Sequence, residues 1–123
     1  MDERRAVLER AYALFNLRDV EGILALVTED VQWPDVLNAA VLRGKAALRP
    51  YWASQFAVAN PQVQPTEFRP VGKDLVAVID QRVFDLHGQL LMPPTTVFHR
   101  FTFREALICR MAIFTERRDA FES

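Results

Sequence analysis

The chain has one cysteine, two histidines and four glycines in 123 residues, and each shortage closes off some chemistry. Cys109 has no partner for a disulfide and no neighbours for a zinc cluster; flanked by Leu107 and Ile108, it reads as a buried structural thiol suited to a reducing cytoplasm. Serine occurs only at Ser54, inside an expected helix, and at Ser123, so no Gly-x-Ser-x-Gly nucleophile elbow exists. Gly22, Gly44, Gly72 and Gly88 are scattered and build no phosphate-cradling loop. With His87 and His99 as the only imidazoles, and no acidic loop of calcium spacing, neither a metal site nor a cofactor is expected. Charge of one sign is missing too. Fifteen basic and sixteen acidic side chains leave a net charge of -1, which removes the electrostatic drive toward nucleic acid or anionic lipid. No run approaches the ~18 apolar residues of a membrane span, and no apolar core follows the charged N-terminus as in a secretory leader.

Half of the residues are apolar and a quarter are charged, the balance of a soluble globular chain. At this length about two-thirds of the open chain's surface is buried on folding, enough for the core of one domain spanning residues 1–123. Nine Phe, two Trp and two Tyr are a large aromatic load to house.

The pattern along the chain is helical first and extended later. From Arg4 to Leu17 the apolar residues Val7, Leu8, Ala11, Leu14 and Phe15 recur at steps of three and four, behind the charged start Asp2-Glu3-Arg4-Arg5. Asp19 caps a second, short helix with Val20, Ile23, Leu24 and Val27 as its stripe, ended by Thr28-Glu29-Asp30. Val31-Gln32-Trp33 reads as a short strand stopped by Pro34, and Asp35 to Arg43 as a loop. A third helix over Lys45 to Ala59 carries Leu48, Trp52 and Phe56 on one row; Pro50 bends it unless it lies in the first turn. Beyond Asn60-Pro61 the period becomes two. Strands are expected at Val63–Val71, edge-like because of Pro65 and Pro70, then at Leu75–Asp85, Leu90–Phe103 and Leu107–Glu116, with a hairpin turn at His87-Gly88 and a terminal tail. Early helices and late hairpin-linked strands specify an α+β domain whose helices cover one face of a curved sheet. Strand phase sends Leu75, Ala77, Ile79, Gln81 and Val83 inward, with Val97, His99, Phe101 and Phe103, and with Cys109, Met111 and Ile113 on the last strand. Gln81 and His99 are then the polar interruptions of apolar walls. Phe84 and Phe98 fall on the opposite face, beside a charge ladder of Asp80, Arg82 and Asp85 that Arg110 joins.

The order of elements resembles the SnoaL-like, ketosteroid isomerase-like group of the nuclear transport factor 2-like superfamily. So do Ala11-Tyr12-Ala13-Leu14-Phe15-Asn16, Asp30-Val31-Gln32-Trp33-Pro34-Asp35, Arg43-Gly44 and Tyr51-Trp52. The resemblance runs from about Arg4 to Glu116. It implies a cone-shaped barrel, a curved mixed or antiparallel sheet wrapped around three N-terminal helices, with a cavity between helices and sheet. It also implies a homodimer through the outer sheet face. In the steroid isomerases a general-base Asp stands nine residues before a Gly that opens the third helix, and Asp35 stands nine before Gly44. Their hydrogen-bonding Tyr falls on Ala11, one step from Tyr12, and their protonated Asp falls on Val97. Neither the Asp-Arg-Asp set of the limonene epoxide hydrolases nor the sheet acid of the polyketide cyclases has a counterpart, since Glu105 is the only acid from Leu86 to Thr115.

Each candidate has a functional and a plain reading. Asp35, beside Trp33, is a proton-accepting base or a loop carboxylate facing solvent. His99 is an acid or hydrogen-bond donor, or a core imidazole bonded to Gln81 or to a helix carbonyl. Tyr12 is a displaced hydroxyl donor or a helix-edge ring. Trp33, Trp52, Phe56 and Met111 line a ligand pocket or fill a core. The expected protein takes a hydrophobic small molecule in a pocket lined by Tyr12, Trp33, Trp52, Phe56, Gln81, His99 and Met111. Cofactor-free proton transfer is one outcome, in an isomerisation, cyclisation or dehydration with Asp35 as base and His99 as acid. A non-catalytic binding or dimerisation module is the other.

Overall fold

In the computed structural model, which describes residues 3–35 and 38–122, the chain forms four helices and one six-stranded sheet. Helices α1 (Glu3–Asn16) and α2 (Val20–Leu24) precede strands β1 (Val27–Asp35) and β2 (Ala40–Arg43). Helix α3 (Lys45–Val58) leads into β3 (Asn60–Val71), β4 (Asp74–Phe84), β5 (Thr95–Arg104) and β6 (Leu107–Phe114), and α4 (Arg117–Ala120) ends the fold. The sheet order is β2-β1-β6-β5-β4-β3, antiparallel except where β1 runs parallel to β6. This is the expected α+β arrangement of N-terminal helices on a mixed sheet. Asp2 of the expected helix start, residues 36 and 37 of the expected loop, and Ser123 of the tail lie outside the described residues.

Local chemistry explains most boundaries. The Asp19 carboxylate accepts the Gly22 N–H at 2.9 Å and starts α2. Gly44, at φ +87, opens α3; its N–H donates to the Val31 carbonyl at 2.7 Å, and a Cβ there would sit 3.3 Å from the Glu29 carbonyl. That tie fixes α3 against β1. Pro50 sits inside α3 rather than in its first turn, on the exposed side of the helix. Pro61, Pro65 and Pro70 all lie in β3, which is an edge strand, so missing donors cost no second ladder.

Several expected boundaries move; β3 already starts at Asn60, β6 ends at Phe114 and the tail forms α4. Thr28-Glu29-Asp30 belongs to β1 rather than ending a helix, and that strand continues through Pro34, because Pro34 lies past the β6 pairing and faces only β2. Residues 40–43 of the expected loop form β2. The strand expected over Leu90–Phe103 starts at Thr95, because Pro93-Pro94 interrupts the ladder and Leu90 keeps a single bridge to Phe84.

The core lies between the helices and the inner sheet face, where Leu8, Leu48 and Trp52 meet Leu75, Ala77, Ile79 and Phe101. A bulge shifts the phase at the start of β6, while Met111 and Ile113 keep the expected inner row. Phe103 pairs with Ile108 and Thr102 with Arg110, so Cys109 is the extra residue. Ile108 is therefore buried while Cys109 is only half-buried, not the inward thiol expected.

The outer face is not bare. Val76, Val78 and Phe98 are covered by Ala120 and Phe121 of the tail, with Phe121 edge-on to Phe98 at 6.3 Å. Arg69 and Arg117 flank the Phe121 ring at 5.6 and 4.8 Å. Phe84 stays half-buried. The charge ladder shrinks to an Asp80–Arg82 pair, since Asp85 turns to accept the His87 and Gln89 N–H groups of the following turn.

Candidate functional site

A chamber of about 430 Å³ remains between the helices and the inner sheet face. Helix α1 supplies Ala11, Tyr12 and Phe15, β1 supplies Trp33 and Pro34, and α3 supplies Tyr51, Trp52 and Gln55. Gln81 and Val83 of β4, His99 and Phe101 of β5, and Met111 and Ile113 of β6 form the sheet wall. The rings pack edge to face: Trp33 on Trp52 at 5.2 Å, and Phe101 against both Tyr12 and His99 at 6.1 Å. Among the described residues no Asp, Glu, Lys or Arg lines the chamber.

Its polar focus is a pair. The Tyr12 hydroxyl and His99 Nδ1 are 2.8 Å apart, both residues are buried, and they come from opposite walls. Burial pushes the His99 imidazole down to about 4, and pushes the Tyr12 phenol well above its ordinary range. Both groups are therefore neutral near pH 7. A neutral pair shares its protons in two ways. With Tyr12 donating to Nδ1, Nε2 carries the outward N–H; with Nδ1–H donating to the phenol oxygen, the phenol O–H is free to donate and Nε2 accepts. His99 Nε2 has no protein partner among the described residues and is not sealed off, so it opens on the chamber. Either arrangement offers one donor to a bound oxygen.

Further polar groups stand apart from this pair. The Gln55 amide donates to the Tyr51 hydroxyl at 2.9 Å. Gln81 pairs across the sheet with Thr95, whereas His99 pairs with Ala77, four residues down the same strand. At about 3.3 Å per residue that separation is ~13 Å, so the expected His99–Gln81 bond does not form. The partner of His99 is Tyr12, a side chain rather than a helix carbonyl. Gln81 is half-buried and lines the chamber instead of closing into the core.

Of the expected site residues, Tyr12, Trp33, Trp52, Gln81, His99 and Met111 meet on the chamber wall. Phe56 does not. It is buried one layer back, edge-on to Phe15 at 5.1 Å, because Phe15 fills the position in front of it. Asp35 is buried but is not among the lining residues, and its oxygens take the side-chain amide and backbone N–H of Asn38 at 2.8 and 3.3 Å. The carboxylate closes the turn after β1. Tyr51 and Gln55 were not among the expected ligand contacts; their i, i+4 spacing one step around from the Trp52 row was the available signal. No group of three metal-ligating side chains occurs among the described residues, and no helix there is long and apolar enough to cross a membrane.

A family model of the SnoaL-like domain matches residues 8–111. No curated protein matches the sequence. Among solved structures, TerC, co-crystallised with polyporic acid, is similar at a TM-score of 0.80 and 24% identity, over 94% of this chain and 92% of that one. An NTF2-like protein of unknown function from Burkholderia pseudomallei covers 100% of both chains at 0.81 and 18% identity. A Mycobacterium tuberculosis protein in complex with estradiol-17beta-hemisuccinate matches at 0.80 and 15% identity, over 95% of this chain and 96% of its own. At these identities the solved structures establish an NTF2-like fold.

Proposed function

The chain belongs to the SnoaL-like domain family, and from that premise we propose that its chamber binds an uncharged, hydrophobic small molecule whose carbonyl or hydroxyl oxygen is received by Tyr12 and His99. The observation that carries this reading is the neutral Tyr12–His99 pair, set in an apolar wall with a ring nitrogen open to the chamber. Away from water a single well-aimed donor fixes the orientation of a ligand, and leaving it unpaired costs more than at the surface. The polyporic acid and the estradiol hemisuccinate held by two structural neighbours, both acids, support a ligand with a large hydrophobic part. We read residues 1–123 as one domain.

A cofactor-free isomerase, cyclase or dehydratase acting on a carbonyl compound is the catalytic form of this proposal. Tyr12 with His99 then stabilises the developing enolate oxygen, and Asp35 takes the proton. The Asp35 tie to Asn38, off the chamber wall, favours the second form, in which the chamber binds without turnover. A homodimer through the outer sheet face belongs to either form, and it would have to seat against the tail helix α4 as well as the strands.

Acetophenone in deuterated buffer tests both forms. Quenching of Trp33 and Trp52 reports binding, and deuterium entering the methyl group reports proton transfer. Tyr12→Phe/His99→Ala, which removes both possible donors, is expected to weaken binding about tenfold, the worth of one buried hydrogen bond, and each single variant by less. Exchange that Asp35→Asn abolishes supports catalysis; binding without exchange supports the binding module. Binding unaffected by the double variant would remove the proposal.

A further inference from the structure

Seven large apolar side chains are substantially exposed among the described residues, and six of them, Leu17, Val58, Leu86, Leu90, Leu91 and Met92, gather at one end of the molecule. The chamber opens at that end, because Val58 both lines it and is 73% exposed. The ladder brings the others there. Asn60 pairs with Phe84 at the start of β3; Leu90 bridges Phe84 and shares its outer face, so by alternation Leu91, whose N–H donates to the carbonyl of the wall residue Val83 at 2.8 Å, falls on the chamber side. Leu17 follows Asn16, whose amide donates to the Val63 carbonyl at 2.8 Å beside the same opening. The seventh, Val41, lies on the far edge strand β2.

Charge is sparse in the same region, with Arg18 and Asp19 beside Leu17 and Asp85 beside Leu86 as the exceptions. Residues 50–66 and 86–99 contain no Asp, Glu, Lys or Arg, in a chain of which a quarter is charged. These two stretches supply α3's C-terminal half with the start of β3, and the connection between β4 and β5. The connection is held in shape rather than left slack, since the Asp85 carboxylate accepts the His87 and Gln89 N–H groups at 2.8 and 2.9 Å and Pro93-Pro94 follow. Scattered exposed leucines need no explanation, but an apolar collar at the mouth of an apolar chamber does.

We infer that the collar is the outer half of the binding site. It takes an uncharged apolar extension of the ligand that projects from the chamber while the ligand's oxygen stays at Tyr12 and His99. The occupant follows from continuity. The apolar wall runs from Phe101 and Trp52 out to Val83 and the exposed Val58 without a charged side chain among the lining residues, and the exposed Leu91, followed by Met92, is tied to the Val83 carbonyl beside it. A hydrophobic tail leaving the mouth therefore finds more apolar surface instead of water. The inference rests on the chamber-binding reading and adds the class of ligand: a molecule with an oxygenated head and an apolar part longer than the chamber.

A series of neutral alkyl aryl ketones from acetophenone to decanophenone, followed by quenching of Trp33 and Trp52, tests it. Affinity is expected to rise about twofold per added methylene across the whole series, roughly half the effect of full burial because the collar is open on one side. In Leu91→Asp/Met92→Asp, both at exposed positions that tolerate polar side chains, short ketones keep their affinity and the longest lose at least tenfold. Tyr12→Phe weakens every member by a similar factor, because it acts on the shared carbonyl. An affinity that stops rising once the tail outgrows the chamber, or a collar variant that loses short and long ketones equally, overturns the inference while leaving the chamber reading in place. So does sedimentation showing pairs of the protein that the collar variant splits, since the collar would then be covered by a second copy. Failure of every ketone to bind overturns both readings.

Discussion

On the outer face of the sheet the Asp74 carboxylate takes the Arg100 guanidinium at 2.7 Å and the Thr102 hydroxyl at 2.9 Å, and Phe121 lies between two arginines. On the inner side Tyr12 of α1 meets His99 of β5, both buried and uncharged, beside open space. The same strands carry both arrangements: Val76 and Phe98 look outward where Ala77 and His99 look inward. One face is closed by charge and by the chain's own tail. The other is left hollow, and its titratable groups are kept neutral by burial. Space on one side of a sheet requires tight closure on the other, because a small fold has no second core to hold it together.

The largest effect should separate packed from hollow. Phe98→Ala, under the tail, is expected to cost about 3 to 5 kcal/mol by denaturant unfolding, whereas Met111→Ala, already bordering the chamber, costs about 2 kcal/mol. Equal losses would mean that the chamber wall is as tightly packed as the outer face. The pH dependence of stability sharpens the inner face next. His99 is held at about 4 in the fold against an ordinary 6.5, so only the unfolded chain gains the proton between those values. Its contribution is complete above pH 6.5, and about 3 kcal/mol is lost as the pH falls to 4. His99→Gln should remove that part of the slope, which paired pH titrations of stability would reveal. The smallest effect concerns the tail: Phe121→Leu keeps an apolar cover over Phe98 but removes the ring between Arg69 and Arg117, at a cost of about 1 kcal/mol.

Periodicity located α1, α3 and the inner rows of β4 and β5, because each has a partner surface that demands one face. Strand phase singled out Gln81, His99 and Met111, and the family resemblance added Tyr12 and a cavity for Trp33 and Trp52 to line; the structure sets all six on one chamber wall. What periodicity missed depended on long-range pairing. β2 exists because β1 offers it an edge, and its four residues have no period of their own. The β6 bulge at Cys109 is a two-strand feature that a single-strand pattern does not register. The bond between Tyr12 and His99 spans 87 positions, and no local rule announces it. Asp35 shows the converse. Its spacing to Gly44 matched a base, but its oxygens are turned to Asn38 by a three-residue turn whose strength the spacing does not reveal. The tail looked inert in sequence, yet it covers the apolar strip that had suggested an open dimer face.

The central claim is that a neutral Tyr12–His99 pair donates a hydrogen bond to an oxygen of an uncharged ligand. The infrared carbonyl stretch of ¹³C-labelled acetophenone bound to the protein measures that bond at the oxygen itself. The account predicts a band shifted to lower frequency than in an apolar solvent, and a return toward the apolar value in Tyr12→Phe/His99→Ala at saturating ketone. A bound carbonyl band that is already apolar in the wild type, or that is the same in wild type and double variant, would contradict it.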